Sequence, residues 1–123
     1  MTRKLLFIVF TDDACRRNHA FMYALDLTRH GHEVRLLIEG IATQALRELD
    51  EGSSSFARLF AQAQAQGLVA GACRKASEGC ASGDPDRQVA GQAAARGVAL
   101  LDGMDGHASI AAFVRDGYEI VVL

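Results

Sequence analysis

The chain has 123 residues, half of them hydrophobic and 23% charged, with a formal net charge of −2 at pH 7. That length suits a single domain over residues 1–123, able to bury roughly two-thirds of its unfolded surface. The charge gives no electrostatic reason to bind nucleic acid or an anionic membrane, the few aromatics and absent Trp argue against a base-stacking platform, and no apolar run approaches the ~20 residues of a membrane span.

The N-terminus, Met1-Thr2-Arg3-Lys4, resembles the basic start of a secretory signal. Only Leu5 to Phe10 follow before Asp12 and Asp13, too short an apolar stretch for such a signal, so a cytoplasmic location is expected. Leu5-Leu6-Phe7-Ile8-Val9-Phe10 does not alternate, as befits a strand buried on both faces. After the polar break Thr11-Asp12-Asp13-Ala14-Cys15, helical spacing of Phe21, Met22, Tyr23 and Leu25 predicts a helix from about Asn18 to His30, stopped by Gly31. Glu33 to Ile38 is a second strand, ending at Glu39-Gly40.

A second helix is expected from Ala42 to about Leu49. Ser53-Ser54-Ser55 supplies an N-cap for a third, carrying Phe56, Leu59 and Phe60 and ending at Gly67. Leu68 to Ala72 is the third strand. Asp84-Pro85 reads as an N-cap with proline at the first helical position, after the loop Ala81-Ser82-Gly83, and opens a helix to Arg96. Val98 to Leu101 is a fourth strand, Asp102 to His107 a loop, Ser109 to Asp116 a short helix and Tyr118 to Leu123 a last strand.

Four times a helix ends in glycine and a strand begins at once, at Gly31, Gly67, Gly97 and Gly117. Strands alternating with helices call for crossover connections, and hence for an α/β fold with a five-stranded, mainly parallel sheet covered on both faces. Sites in such sheets lie at the carboxyl ends of the strands. Asp13, Glu39, Cys73 and His107 are expected along that edge, with the ends of strands one and three adjoining a shared pocket.

Cys73 closes the third strand, and Arg74 and Lys75 follow it. Cations favour a thiolate, and a helical turn beginning there would add backbone N–H groups aimed at the sulfur. Equally, a free cysteine often serves as a small buried hydrophobe. An odd number of cysteines, three, argues against a disulfide framework and for free or reactive thiols. Cys15, near the start of the first helix, is expected to fill space, and Cys80 lies seven positions beyond Cys73.

Several familiar sites are excluded. The loop after the first strand lacks G-x-G-x-x-G, no P-loop motif occurs, and two aspartates there would repel a phosphate. The acidic pair suits a phospho-accepting receiver, but Cys73 stands where the accepting aspartate belongs. No C-x-x-C is present. Asp102, Asp105 and His107 share one loop, and His19 is a further possible ligand. Isolated His and Asp in turns are mostly solvated or capping groups, so neither metal nor cofactor is expected.

In the order and spacing of its motifs, the chain resembles the DsrE/DsrF-like family, which includes the TusD-type sulfur-relay subunits, and within it the small stand-alone cytoplasmic members. The likeness spans nearly the whole chain: the Lys4-to-Phe10 strand, Gly31-His32-Glu33-Val34, Ile38-Glu39-Gly40, the cysteine ending Leu68-to-Cys73, and Gly106-His107 leading to Gly117-Tyr118-Glu119-Ile120. The resemblance implies a three-layer α/β/α sandwich assembled as trimers or hexamers, with sulfur carried as a persulfide on the cysteine matching Cys73. Many stand-alone relatives carry a second cysteine three residues later, where this chain has Ala76; Cys80 is the substitute at hand.

Two functions follow. In the first, Cys73 carries sulfane sulfur between donor and acceptor proteins, supported by Arg74, Lys75, Cys80, Asp13, His19, Glu39 and His107. In the second, the protein is a non-catalytic assembly or small-ligand-binding module and Cys73 is packing. A homo-oligomer is expected in either case, because Phe56, Leu59 and Phe60, with the Ala-rich stretch from Val89 to Ala95, offer more apolar surface than one sheet covers.

Overall fold

A computed structural model describes residues 1–80 and 88–123. Its elements are β1 (Lys4–Val9), α1 (Ala14–Arg29), β2 (Glu33–Ile38), a 3₁₀ helix (Gly40–Asp50), α2 (Ser55–Ala65), β3 (Val69–Cys73), the single turn α3 (Arg74–Ser77), α4 (Ala90–Ala95), β4 (Leu100–Leu101), α5 (Ala111–Arg115) and β5 (Glu119–Val122). The strands lie in the order β4-β3-β2-β1-β5, and every adjacent pair is parallel. This is the expected α/β architecture, with a sheet that is wholly rather than mainly parallel.

The chain steps outward from β1 to β4, then crosses back to lay β5 beyond β1. Right-handed crossovers put the first three connections on one face of such a sheet and the last on the other. The first face is thickly covered. Phe7, Val9, Val34, Leu36 and Ile38 from the strands meet Phe21 of α1, Leu46 of the 3₁₀ helix, Phe56 and Phe60 of α2, and Ala93 of α4. Phe21 and Phe56 pack edge to face with ring centroids 5.2 Å apart.

Capping explains where these helices begin. The Asp13 carboxylate accepts the Arg16 N–H, which starts α1 at Ala14, four positions before the expected Asn18. Its buried stripe runs through Arg17, Ala20, Phe21, Ala24 and Leu25, so Met22 and Tyr23, expected in the core, are turned to solvent. Ser54 caps α2 as expected, through the Ala57 N–H. The second predicted helix is a 3₁₀ segment instead. Among the described residues the fourth predicted helix is α4 alone; its Asp84-Pro85 start and the Ala81-Ser82-Gly83 loop lie outside them.

The second face is thinly covered. Leu6, Ile8, Leu37 and Cys73 lie under Ala76 of α3, Ala108 and Ile110 of the segment between β4 and α5, and Phe113 and Tyr118 around α5. Towards β5 the cover runs out: Ile120 and Val122, which pair in register with Leu6 and Ile8, are exposed, Val122 at 62%. Phe10, just past β1, is 45% exposed. Of the apolar surface expected to be in surplus, Phe56 and Phe60 of α2 are inside and Leu59 is half-buried, while Val89 and Ala93 are buried; exposed apolar side chains lie here and at Met22 and Tyr23 of α1. Among the described residues no helix is long and apolar enough to cross a membrane.

Candidate functional site around Cys73

A one-residue irregularity decides which face of the sheet receives Cys73. Leu36 pairs with Val69, but Leu37 pairs with Gly71, so Ala70 is the extra residue of a bulge in β3. In regular register Ala72 would have turned to the thin face and Cys73 to the thick core, since a slip of one residue exchanges the faces. The signal in the sequence is Gly71. A Cβ there would lie 2.5 Å from the Ala99 carbonyl oxygen, which accepts the Ala72 N–H at 2.9 Å. Only glycine allows that close approach inside the strand.

Cys73 ends β3 and immediately precedes α3. Two buried hydroxyls fasten this turn. Ser77 Oγ donates to the Cys73 carbonyl at 2.7 Å. Thr43 Oγ1, in the 3₁₀ helix, lies 2.8 Å from the Gly40 carbonyl and 3.4 Å from that of Ala76. These are two of the few buried polar side chains among the described residues, and both hold the backbone that carries the thiol.

His107 is delivered by a tight turn. Met104 and His107 exchange two backbone hydrogen bonds of 2.8 Å, with Asp105 and Gly106 between them at φ of 50° and 92°. Two positive φ values in an Asp-Gly pair make this the kind of two-residue turn that closes hairpins. The Lys75 N–H donates to the Gly106 carbonyl at 3.1 Å, tying the turn to the start of α3. The Lys75 side chain lies across Gly106, where a Cβ would meet its Cε at 2.6 Å. The result places His107 Nδ1 3.8 Å from Cys73 Sγ.

Glu39 completes the constellation. Ile38 pairs with Ala72, and one residue further Glu39 and Cys73 leave neighbouring strand ends on the same face. One carboxylate oxygen of Glu39 accepts the Gly40 N–H at 2.9 Å, which fixes the side chain. Cys73 is completely buried. Burial pushes its thiol pKa up and the Glu39 carboxylate adds to that rise, while the backbone N–H groups of Ala76 and Ala108 work the other way without overcoming it.

This corrects the expectation of an acidified thiol. Arg74 is turned to Asp102, 3.0 Å away, and Lys75 is laid over Gly106. Successive residues of a helical turn do not face the same way, so adjacency in sequence put neither cation on the sulfur. The N–H group expected from a turn after the strand is present in Ala76, and the segment before α5 adds that of Ala108.

The other candidate residues lie elsewhere. Asp13 follows β1 at the carboxyl-end edge, but β2 separates β1 from β3, and Asp13 is spent on capping α1. His19 partners Cys15: its Nδ1 is 2.7 Å from the Cys15 carbonyl oxygen and 3.5 Å from the sulfur. With Asp13, Arg16, Tyr23 and Leu123 they line a separate cleft of about 500 Å³. Strands one and three thus end at two places rather than one shared pocket. Cys15 is exposed and fills no space, and Cys80 is exposed too, its N–H bound to the Lys75 carbonyl at the end of α3. Among the described residues no three His, Cys, Asp or Glu side chains are grouped to hold a metal.

No family model matches the chain, and no solved structure matches it. A protein of Archaeoglobus fulgidus, described only as uncharacterised, is 42% identical over 53 residues, which are 43% of this chain and 87% of that protein. With identity at that level over most of the archaeal protein, the chain belongs to the same family as this uncharacterised Archaeoglobus fulgidus protein.

Proposed function

We propose that the protein is a sulfur carrier, sulfurtransferase-like in its chemistry, which holds sulfane sulfur as a persulfide on Cys73. The observation that carries this reading is a thiol at the carboxyl end of an interior strand with His107 Nδ1 3.8 Å from its sulfur. A thiol in that setting needs a base, and a positioned imidazole is the usual one. With a donor R–S–SH, the Cys73 sulfur attacks the outer sulfur and its proton passes to His107 Nδ1. The donor S–S bond breaks, RS⁻ leaves and regains that proton, and Cys73–S–SH remains. One sulfur atom moves and no electrons are gained or lost. The N–H groups of Ala76 and Ala108 stabilise the negative sulfur in transit.

The resemblance to the DsrE/DsrF-like family supports the same reading, and with it donor and acceptor proteins, a cytoplasmic location and a homo-oligomer, trimeric or hexameric. The exposed Phe10, Ile120 and Val122 add support for association, because an edge strand with uncovered apolar side chains is a surface that proteins generally cover. Light scattering at micromolar concentration tests it; a monomer mass would remove the oligomer.

A second reading has its own observation: the complete burial of Cys73 within an apolar cluster. On that view the thiol is packing, and the protein is an assembly or small-ligand-binding module. Incubation of wild type, Cys73→Ser and Cys80→Ser with several sulfane donors separates the two. The carrier gains one sulfur in wild type and none in Cys73→Ser, and if Cys80 resolves the persulfide then Cys80→Ser accumulates it. An unchanged wild-type mass with every donor favours packing.

A further inference from the structure

We infer that Glu39 is a specificity-determining residue of the Cys73 site, a fixed negative charge that favours neutral sulfur donors over anionic ones and turns away dianions such as thiosulfate most strongly. The inference rests on the carrier reading for its biological meaning, but it concerns who can approach the sulfur rather than whether sulfur is transferred.

The geometry begins with register. Leu37 and Gly71, then Ile38 and Ala72, pair across β2 and β3, so Glu39 and Cys73 are the next residues out on adjacent parallel strands. Adjacent strands are about 4.8 Å apart, which brings the two side chains within contact range on one face. Glu39 cannot swing freely, because the Gly40 N–H holds one of its oxygens at 2.9 Å. The nearest cation in sequence, Arg74, is committed to Asp102 at 3.0 Å, so its charge does not offset that of Glu39. An anionic reagent reaching the sulfur therefore meets a carboxylate on the same face, in a half-buried site where unit charges repel more than in bulk solvent. A neutral reagent meets no such repulsion. The N–H groups of Ala76 and Ala108 serve the Cys73 sulfur itself.

Thiol alkylation reads this without any sulfur donor. Iodoacetamide and iodoacetate have the same size and leaving group and differ in charge, so the ratio of their rate constants at one cysteine cancels both the thiolate fraction and any opening needed to reach it. Site-resolved mass spectrometry gives that ratio for Cys73 and, in the same molecules, for the exposed Cys15 and Cys80. The expected ratio at Cys73 exceeds those at Cys15 and Cys80 by about tenfold, equivalent to roughly 1.4 kcal/mol. Glu39→Gln, which keeps an oxygen for the Gly40 N–H, brings it down to their level, and Asp105→Asn in the neighbouring turn leaves it unchanged. Equal ratios at all three cysteines of the wild type overturn the inference even if the variant fails to fold, and so does an Asp105→Asn effect as large as that of Glu39→Gln. A paired incubation with thiosulfate and a low-molecular-weight persulfide completes the test. Sulfur uptake from neither, with the alkylation ratio as expected, defeats the carrier reading and leaves the charge filter standing; uptake from thiosulfate as fast as from the persulfide defeats the filter.

Discussion

The two faces of this sheet are built differently. One is covered by a 16-residue helix, an 11-residue helix and an 11-residue 3₁₀ segment that bring Phe21, Phe56, Phe60 and Leu46 onto the strands. The other is covered by a four-residue turn, a loop and a five-residue helix with no buried residue of its own. Long amphipathic elements give the first face its stability through apolar burial. The second face carries the buried thiol, the imidazole and the carboxylate, positioned by short segments whose backbone is pinned one hydrogen bond at a time. The candidate site lies where the cover is made of loops held on a rigid scaffold.

The same residue type on the two faces gives the largest expected contrast. Phe21→Ala on the thick face is expected to lose about 3–5 kcal/mol of stability in denaturant titration. Phe113→Ala on the thin face, half-buried and edge-on to Tyr118 at 5.5 Å, is expected to lose about 1–2 kcal/mol. Equal losses would erase the distinction between the faces.

Asp13→Ala sharpens it at a smaller scale. Loss of the α1 cap is expected to cost about 1 kcal/mol and to leave the alkylation rate of Cys73 unchanged, because Asp13 belongs to the thick-face helix. A change in that rate, measured under strongly native conditions, would return Asp13 to the Cys73 site.

The alkaline limb of stability gives a third, smaller effect. The folded Cys73 thiol has a pKa above its unfolded value, through burial first and Glu39 second. Such a group contributes its full stabilisation below the unfolded pKa, around 9 for a thiol, and loses it as pH rises through the folded one. Stability should therefore fall above about pH 9, with Tyr118, raised by burial and by Glu33, adding to the decline from about pH 10. Cys73→Ala is expected to flatten the earlier part of that fall. Identical alkaline limbs in wild type and variant would mean that the thiol is not held up by its surroundings.

Val122→Ser is expected to change the stability of the isolated chain by no more than about 0.5 kcal/mol, since the side chain is already largely in solvent. A larger loss would show that the thin face is covered after all.

The fold was legible because its signals were redundant. The run Leu5 to Phe10 announced β1, Glu33 to Ile38 matched β2 residue for residue, and glycines 31, 67, 97 and 117 marked four helix ends. α1 starts at Ala14 rather than Asn18 because one cap, Asp13, outranks the apolar spacing. The turn that aims His107 is encoded by Asp105-Gly106, whose two positive φ values a plain loop does not require. The chemistry at Cys73 was harder to read, since it depends on directions rather than identities. Arg74 and Lys75 are adjacent to the thiol in sequence but are turned to Asp102 and Gly106, whereas Glu39 and His107, 34 residues away on either side of Cys73 in sequence, converge on it. The bulge at Ala70, which turns Cys73 to the thin face, was signalled only by a glycine inside a strand.

The most direct test of the central claim is the intact mass of the native protein after exposure to a low-molecular-weight persulfide, compared between wild type and Cys73→Ser. The account expects wild type to gain one sulfur atom, removable by a reductant and localised to Cys73 by peptide mapping, and the variant to gain none. A sulfur gain that survives in Cys73→Ser would contradict it.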